Sequence, residues 1–301
     1  MDIALMIEGQ DGLNWKRWQN LARAAEDLGF YGLYRSDHFT NASGPEKDSL
    51  ELWVSLTWLA SHTSRIKFGP LVSPFSFRNP AFTARMSSAV NDLSGGRLAL
   101  GLGAGWQERE HRVFNFNLMG VKERFDRFDE GLELVTQLFN SDEPVIYQGK
   151  YYQLHGGTLL PRPQFHQHIV IGGNGEKRTL PAVVRYADEW NGVYIPPAEF
   201  QRINTLLDSM LDEAGRARES VRRSLMLGCV FGRTGAEVEQ KIASSNRSVD
   251  EVRGMGMLIG TAEQIREQLA QLPAAGVECV MIQWLDQDDL EGLEMLAKAV
   301  L

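Results

Sequence analysis

Asp37 and His38 stand side by side directly after the short apolar run 31–35. An imidazole titrates near neutral pH, and a neighbouring carboxylate can orient it, so this pair suits the transfer of a proton. The same dipeptide also fits a plain loop, in which a histidine stands beside an aspartate that forms a turn. The residue types alone therefore allow two interpretations, a catalytic pair and a plain loop. The position of the pair in the fold distinguishes them.

A glycine-rich segment, Gly172-Gly173-Asn174-Gly175, follows the apolar run 168–172 and precedes a helical stretch. Glycines let the backbone approach an anion, and the start of a helix offers unpaired N–H donors, so the segment fits a phosphate-binding loop. It also fits an ordinary turn between a strand and a helix. A second run, Gly101 to Gly105, resembles half of a dinucleotide fingerprint. It lacks the last glycine at the required spacing, because position 106 is Trp, so we expect close packing or contact with a flat ring there.

Short apolar, β-rich runs alternate with amphipathic helical stretches along the whole chain. The predicted strands are eight, at residues 2–7, 31–35, 66–72, 97–103, 168–172, 189–193, 223–231 and 278–284. Such alternation predicts a parallel sheet with helical crossovers, and eight units favour a closed (β/α)8 barrel, the TIM-barrel class, over an open sheet. The length of 301 residues suits one such barrel, so we expect a single domain over residues 1–301.

Two stretches do not fit the repeating unit. Residues 141–166 contain two β-rich runs around Gln148-Gly149, which predicts an inserted hairpin after the fourth helix. Residues 244–259 are typical of a loop or a short helix, which would be an insertion after the seventh strand.

The working face of a parallel barrel lies at the carboxyl ends of its strands. Asp37-His38 follows the second predicted strand, Val72-Ser73 the third, Trp106 the fourth and the glycine-rich segment 172–175 the fifth. We therefore expect these residues to surround one pocket. Aromatic residues near the same strand ends suggest an apolar or aromatic lining, namely Phe39, Trp106, Tyr194 and Trp284.

The other histidines and the cysteines carry weaker signals. His166 and His168 have the spacing of a paired metal ligand, but they precede the fifth strand and so lie at the wrong face of the barrel. We expect a structural role for them and no metal site. His111 fits a pocket residue and a helix-surface residue equally well. Cys229 and Cys279 each lie in an apolar run, which favours buried free thiols.

Composition excludes several classes of partner. The formal net charge of −8 argues against a general nucleic-acid binder, which needs a basic face. No apolar stretch approaches the roughly 18 residues of a membrane span. Residues 1–8 lack the basic lead and cleavage site of a signal peptide, so we expect a cytoplasmic protein without a membrane partner.

Four motifs together resemble one superfamily. They are Ser36-Asp-His-Phe39, Phe77-Arg-Asn-Pro80, the segment from Leu93 to Trp106, and Gly172-Gly-Asn-Gly175. This combination resembles the bacterial luciferase-like monooxygenase superfamily, and the similarity runs over nearly the whole chain. The Ser-Asp-His-Phe form of the first motif is similar to the branch that uses coenzyme F420, a deazaflavin.

The resemblance implies a role for each matched residue. His38 would lie near ring carbon 5 of the cofactor as proton donor or acceptor, and Asp37 would bond the polar edge of the ring or orient His38. The backbone of Gly172, Gly173, Asn174 and Gly175 would hold the cofactor phosphate. The remaining residues expected to bind the cofactor are Pro70, Leu71, Val72, Ser73 and Trp106. The family often has a non-prolyl cis peptide at the end of the third strand, which alignment places at Pro70-Leu71.

The cofactor decides which reaction is expected. Deazaflavin is confined mainly to two-electron hydride transfer, whereas reduced FMN reacts with oxygen. We therefore expect an oxidoreductase that transfers a hydride between F420 and a small organic substrate. The alternative is an FMN-dependent monooxygenase that resembles the alkanal or alkanesulfonate monooxygenases. A non-catalytic cofactor binder and a metal-dependent barrel hydrolase are less favoured. The resemblance also implies a homodimer.

Overall fold

The computed structural model describes residues 1–243 and 248–301, and it contains a parallel sheet that curves into a nearly closed barrel. The strands are β1 (Asp2–Ile7), β2 (Gly32–Arg35), β3 (Lys67–Pro70), β4 (Ser73–Pro74), β5 (Ala99–Gly103), β6 (Val145–Gln148), β7 (Gln153–Gly157), β8 (His168–Gly172), β9 (Glu189–Val193), β10 (Arg222–Phe231), β11 (Met257–Gly260) and β12 (Cys279–Gln283).

Helices cover the outside of the barrel. They are α1 (Trp15–Leu28), α2 (Leu52–His62), α3 (Pro80–Leu93), α4 (Glu108–Val113), α5 (Val121–Asn140), α6 (Thr179–Tyr186), α7 (Pro197–Glu213), α8 (Gly235–Ala243), α9 (Val249–Gly254), α10 (Ala262–Leu269) and α11 (Leu290–Val300). None of the helices in the described ranges is both long and apolar enough to cross a lipid bilayer.

The strands follow one another around the barrel in the order β3, β2, β1, β12, β10, β9, β8, β5 and β4. Since β4 continues the path of β3, these strands fill eight positions in the described part of the chain. The ring closes between β3 and β5, where Phe68 forms a parallel bridge with Leu98 and donates its N–H to the Arg97 carbonyl at 3.2 Å. The expected (β/α)8 barrel is confirmed.

Glycines make this closure possible. A Cβ atom on Gly69 would overlap the carbonyl oxygen of Ala99, and one on Gly101 would overlap the carbonyl oxygen of Pro70. The two strands thus meet backbone to backbone, with no side chain between them. This is the close packing that the run from Gly101 to Gly105 predicted as one of two possibilities.

The third predicted strand, 66–72, is interrupted. β3 ends at Pro70, the cis peptide bond joins Leu71 to Val72, and β4 begins at Ser73. The expected position at Pro70-Leu71 was wrong by one residue. The N–H of Leu71 donates to the Arg35 carbonyl at 2.7 Å, and this bond keeps the chain in register with β2 through Pro70, so the turn comes one bond later.

Two apolar layers hold the fold together. One fills the barrel and includes Met6, Tyr34, Val170, Met226 and Met281. The other lies between the barrel and its helices. Continuous apolar strands are the expected pattern for a sheet that is buried on both faces.

Local signals place the helices. Asn79 caps α3 by accepting the N–H of Ala81, with Pro80 at the first helical position. Gly29 ends α1 with φ of 97°, a left-handed conformation that suits glycine and turns the chain into β2.

Of the two stretches outside the repeating unit, the first contains the expected hairpin and the second contains more structure than expected. Within 141–166, β6 and β7 pair as an antiparallel hairpin, and Tyr147 on β6 donates its hydroxyl to Glu133 of α5 at 2.9 Å. Within 244–259, residues 244–247 lie outside the described residues, and the remainder forms α9 and β11. β11 pairs with the end of β10 and adds a parallel strand that the sequence analysis did not predict.

We predict that Gly69→Ala destabilises the barrel by about 1–3 kcal/mol, the usual cost of forcing an extra carbon into a packed site. The added methyl group would have to displace the β5 backbone. Urea denaturation measures the free energy of unfolding. Gly235→Ala is the matched control, because a Cβ there meets no atom within 4 Å. Equal stability of both variants would show that β3 and β5 separate freely.

Candidate functional site

A cavity of about 740 Å³ opens at the carboxyl ends of the barrel strands. The predicted site residues that line it are Asp37, His38, Leu71, Val72, Trp106, Gly172, Gly173, Asn174 and Gly175. Pro70 and Ser73 do not line it: Pro70 is buried in β3, and Ser73 lies behind Asp37. One barrel mouth thus brings together residues from four separate parts of the sequence.

The strand order sets which residues face each other across this mouth. In the eight-position ring, β1 lies opposite β8, and β2 lies opposite β9. Glu8, which follows β1, is therefore diametrically opposite the loop 172–175, called the glycine loop below. His38, which follows β2, is opposite Tyr194 and next to Glu8.

His38 is held by a buried carboxylate. Its Nδ1 lies 2.8 Å from Oε1 of Glu110 on α4, and the other oxygen of Glu110 accepts the N–H of Phe39 at 3.1 Å. A carboxylate only accepts hydrogen bonds, so Nδ1 carries the hydrogen and Nε2 of the neutral ring keeps its lone pair. Within the described residues Nε2 has no hydrogen-bond partner, and the edge of the ring contacts Trp106 with centroids 5.4 Å apart. The imidazole is thus oriented on one side and available on the other.

The surroundings raise the pKa of His38. Burial alone disfavours the charged ring, but the hydrogen bond to Glu110 and the charge of that carboxylate outweigh burial. A histidine with a raised pKa binds a proton more readily, which suits a group that both accepts and returns a proton.

Asp37 does not orient His38, contrary to one of its two expected roles. Its carboxylate forms a bidentate ion pair with Arg78 and accepts the Ser73 hydroxyl at 2.7 Å. Arg78 also reaches Glu51 at 3.0 Å. Burial raises the pKa of Asp37, while Arg78 and Ser73 oppose that rise. The sequence analysis paired Asp37 with His38, whereas Glu110 is the carboxylate that orients the ring. The side chains of these two consecutive residues point away from each other, so Asp37 meets Arg78 instead.

Leu71 and Val72 form an apolar wall. Val72 packs into space left by glycines on two neighbouring strands, since a Cβ on Gly103 would overlap its side chain and one on Gly172 would lie 3.1 Å from it. The glycines of β5 thus serve this wall and not a dinucleotide turn.

The glycine loop is fixed from one side only. The side chain of Asn174 donates to the Val193 carbonyl at 2.7 Å and accepts the Val193 N–H at 2.9 Å. Gly173 has φ of 126° and donates its N–H to the Asn191 carbonyl at 2.9 Å. That amide is therefore used by the protein, contrary to the expectation that it would bind phosphate. Within the described residues, the backbone N–H groups of 174–178 have no acceptor, which leaves a run of free donors before α6.

Asn191, a residue that lines the cavity, has a buried amide oxygen without a partner in the described part of the chain. Asn191 is fully buried, its Nδ2 donates to Ser224 at 2.9 Å, and its Oδ1 has no partner in the described residues. An unpaired buried acceptor is costly, so this atom suits a ligand that donates a hydrogen bond. Both Asn191 and Glu110 were missed as site residues.

Other expectations about pocket residues were wrong. His111 is 2% exposed, and its two ring nitrogens bond the Gln107 carbonyl and the Ser76 hydroxyl, so it belongs to a packed wall. Trp284 is buried against Phe231 and Phe39 packs on Phe77; neither lines the cavity. By contrast, His166 and His168 bond Asp188 and Glu189 at the other end of β8 and β9, away from the cavity, in agreement with the structural role expected for them.

The glycine loop, the apolar wall at the cis peptide and the half-buried His38 all lie within the residues that match one family model. The family model described as luciferase-like monooxygenase matches residues 4–256. The chain belongs to this family.

Relatives and solved structures include F420-dependent enzymes and a monooxygenase. The chain is 30% identical over 225 residues, 72% of its length, to an F420-dependent glucose-6-phosphate dehydrogenase of Kineococcus radiotolerans. It superposes with a TM-score of 0.86 and 18% identity on an F420-dependent secondary alcohol dehydrogenase, over 100% of this chain and 99% of that one. It superposes with a TM-score of 0.82 and 20% identity on the monooxygenase RslO1 from Streptomyces bottropensis, over 100% and 98%. The alignments with the first curated relatives span 65%, 60% and 59% of those proteins.

We predict that Glu110→Gln lowers the pKa of His38, because the neutral amide removes the charge that raises it. The pH dependence of the His38 ring signals in NMR measures this pKa. A raised folded-state pKa stabilises the fold below the ordinary histidine value and loses that effect as pH rises through the raised value. Glu108→Gln is the matched control, since Glu108 is exposed on the same helix. An unchanged pKa in Glu110→Gln would contradict the assignment of Glu110.

Proposed function

We propose that this protein is an F420-dependent oxidoreductase that transfers a hydride between the deazaflavin and a small organic substrate. The observation that carries the proposal is the free Nε2 of His38 beside the cavity, with Nδ1 fastened to the buried Glu110. The family and its F420-dependent relatives support the choice of cofactor. A homodimeric assembly is part of the same proposal.

The residues present fit such a cofactor. The free N–H groups that begin at Asn174 suit an anionic phosphate at the start of a helix. The wall of Leu71 and Val72 offers an apolar face to a flat ring. The unpaired Oδ1 of Asn191 would accept a ring N–H, which would satisfy the buried acceptor. An extended molecule would span the mouth from the glycine loop to the side of His38.

The protein's own residues then have distinct tasks. The bound deazaflavin supplies a ring carbon that accepts or donates a hydride. Nε2 of His38 takes the proton of a substrate hydroxyl, or returns it to a carbonyl oxygen. Glu110 holds the imidazole in one tautomer and stabilises its charged form. Arg78 fixes Asp37, and through it the start of the loop that carries His38.

The second candidate, an FMN-dependent monooxygenase, uses the same barrel. The fold that the chain shares with the monooxygenase RslO1 supports a monooxygenase, and another monooxygenase of the same fold was solved in complex with FMN. Cofactor preference separates the two proposals, because only the reduced FMN enzyme would consume oxygen.

We predict that F420 binds at micromolar concentration or tighter and that FMN binds at least ~10-fold more weakly, a difference of about 1.4 kcal/mol. This prediction is based on the Ser36-Asp-His-Phe39 motif in the loop after β2. Fluorescence titration with each cofactor measures both constants. Equal or tighter binding of FMN would reject the F420 proposal in favour of the monooxygenase.

We predict that His38→Ala lowers the turnover rate by roughly 100-fold or more, the usual scale for a general acid or base. Cofactor affinity changes much less, because the free amides and the apolar wall remain. The variant also loses the limb of the pH–rate profile that reports this histidine. A screen of alcohols and carbonyl compounds supplies the assay, and His62→Ala, an exposed histidine on α2, is the control. Near-full turnover of His38→Ala with tight cofactor binding would assign the proton transfer to another group.

A further inference from the structure

The side of the cavity opposite the glycine loop is lined by polar side chains that the proposed chemistry does not use. Glu8 and Gln10 follow β1. Tyr194 follows β9, next to the glycine loop, and its side chain hydrogen-bonds Gln283 at the end of β12. Gln283 also contacts Glu8. Because β1 lies between β2 and β12, Glu8 is next to His38 at the barrel mouth.

Glu8 is held in place by neutral partners. Its Oε1 accepts Nε2 of Gln283 at 2.7 Å, and its Oε2 accepts Nε2 of Gln10 at 3.0 Å. Gln10 in turn accepts the hydroxyl of Ser36 at 3.0 Å. Each carboxylate oxygen has a second lone pair, so both can accept one more hydrogen bond from a molecule in the cavity.

The charges around the cavity are unbalanced at this point. Of the described residues that line it, the ionisable ones are Glu8, Asp37, His38, Glu110 and Tyr194, and no lysine or arginine is among them. Asp37 is paired with Arg78, and Glu110 with His38. Glu8 forms no ion pair within the described ranges. The buried guanidinium of Arg35 acts on its charge from a distance, but it bonds Ser55 and backbone carbonyls and does not line the cavity, so the carboxylate of Glu8 is the charge that a bound substrate meets.

The influence of Glu8 extends to both neighbouring functional groups. Burial is the main cause that raises the pKa of Tyr194 to about 12; Glu8 adds to the rise and the hydrogen bond with Gln283 opposes it. Glu8 also favours the charged form of His38. Its effect is smaller than that of burial, which opposes the charged form, and smaller than that of Glu110, which favours it.

We infer that Glu8 determines the charge of the substrate that the enzyme accepts. The enzyme takes uncharged alcohols or carbonyl compounds, and Glu8 accepts a hydrogen bond from a hydroxyl of the substrate. Substrates that would place a phosphate or carboxylate next to Glu8 are excluded. This inference rests on the proposed function. An anionic group beside His38 would face the carboxylate of Glu8 across a partly desolvated cavity with no counter-ion, which costs affinity.

Matched probes of one carbon skeleton test the inference. Cyclohexanol is uncharged, and cyclohexanecarboxylate carries one negative charge on the same ring. Both are titrated at pH 7.5 into protein saturated with reduced F420, which cannot accept a hydride from the alcohol, and calorimetry gives the dissociation constants. The wild type binds cyclohexanol at least ~10-fold more tightly than the carboxylate. Glu8→Gln keeps the size of the side chain and reduces this ratio to about 3-fold or less.

Controls separate charge from structure. Glu213→Gln removes an exposed carboxylate at the end of α7 and leaves the ratio unchanged. NMR titration gives the pKa of His38, which falls in Glu8→Gln and stays constant in Glu213→Gln. A folded Glu8→Gln variant with an unaltered ratio or an unaltered His38 pKa overturns the inference.

Further outcomes of the titrations also test the inference. Wild-type protein that binds the carboxylate as well as the alcohol, or binds no cyclohexanol, overturns the inference. If F420 does not bind, the proposed function fails. The same probe pair is then titrated into FMN-saturated protein, or into protein with 50 mM inorganic phosphate to fill the glycine loop. The charge preference is therefore measured separately from the identity of the cofactor.

Discussion

The direct backbone contact between β3 and β5 is the constraint on which the site depends. Because Gly69 and Gly101 present no side chains, the two strands approach closely enough to complete the ring. The chain then leaves β3 at Leu71, and Val72 fills the space above the glycines of β5 and β8. A bulkier residue at any of these glycines would move the wall and, with it, the surface against which a flat ring would lie.

Charge is distributed unevenly around the mouth, and each carboxylate has a different partner. Asp37 is held by a permanent cation, Glu110 by a titratable ring, and Glu8 by amides alone. The same functional group therefore serves as an anchor, as an orienting base and as an exposed acceptor. Environment, and not residue type, separates these roles, as is usual for carboxylates in active sites.

Much of the barrel and of the site position was predictable, because strand–helix alternation and the carboxyl-end rule depend on local pattern alone. Asp37, His38, Trp106 and the glycine loop were found in this way. Glu110 was not, because its approach to His38 depends on the turn of α4, which starts after the Gln107 cap. Arg78 and Asp37 are 41 residues apart in the sequence, and no local pattern predicts that such distant residues form an ion pair. β11 was missed because its short apolar run adjoins a segment typical of loops.

The opposition of β1 and β8 across the ring puts the proposed substrate contact and the proposed phosphate contact on separate loops. Under these proposals, substitutions in the segment after β1 would alter which substrates are accepted, while the segment after β8, fastened to β9 through Asn174, would keep its contacts with the cofactor. A lineage could then diversify its chemistry one loop at a time without losing its coenzyme. For the protein engineer, the same separation makes Glu8 and Gln10 the positions to randomise, with the opposite half of the mouth left intact.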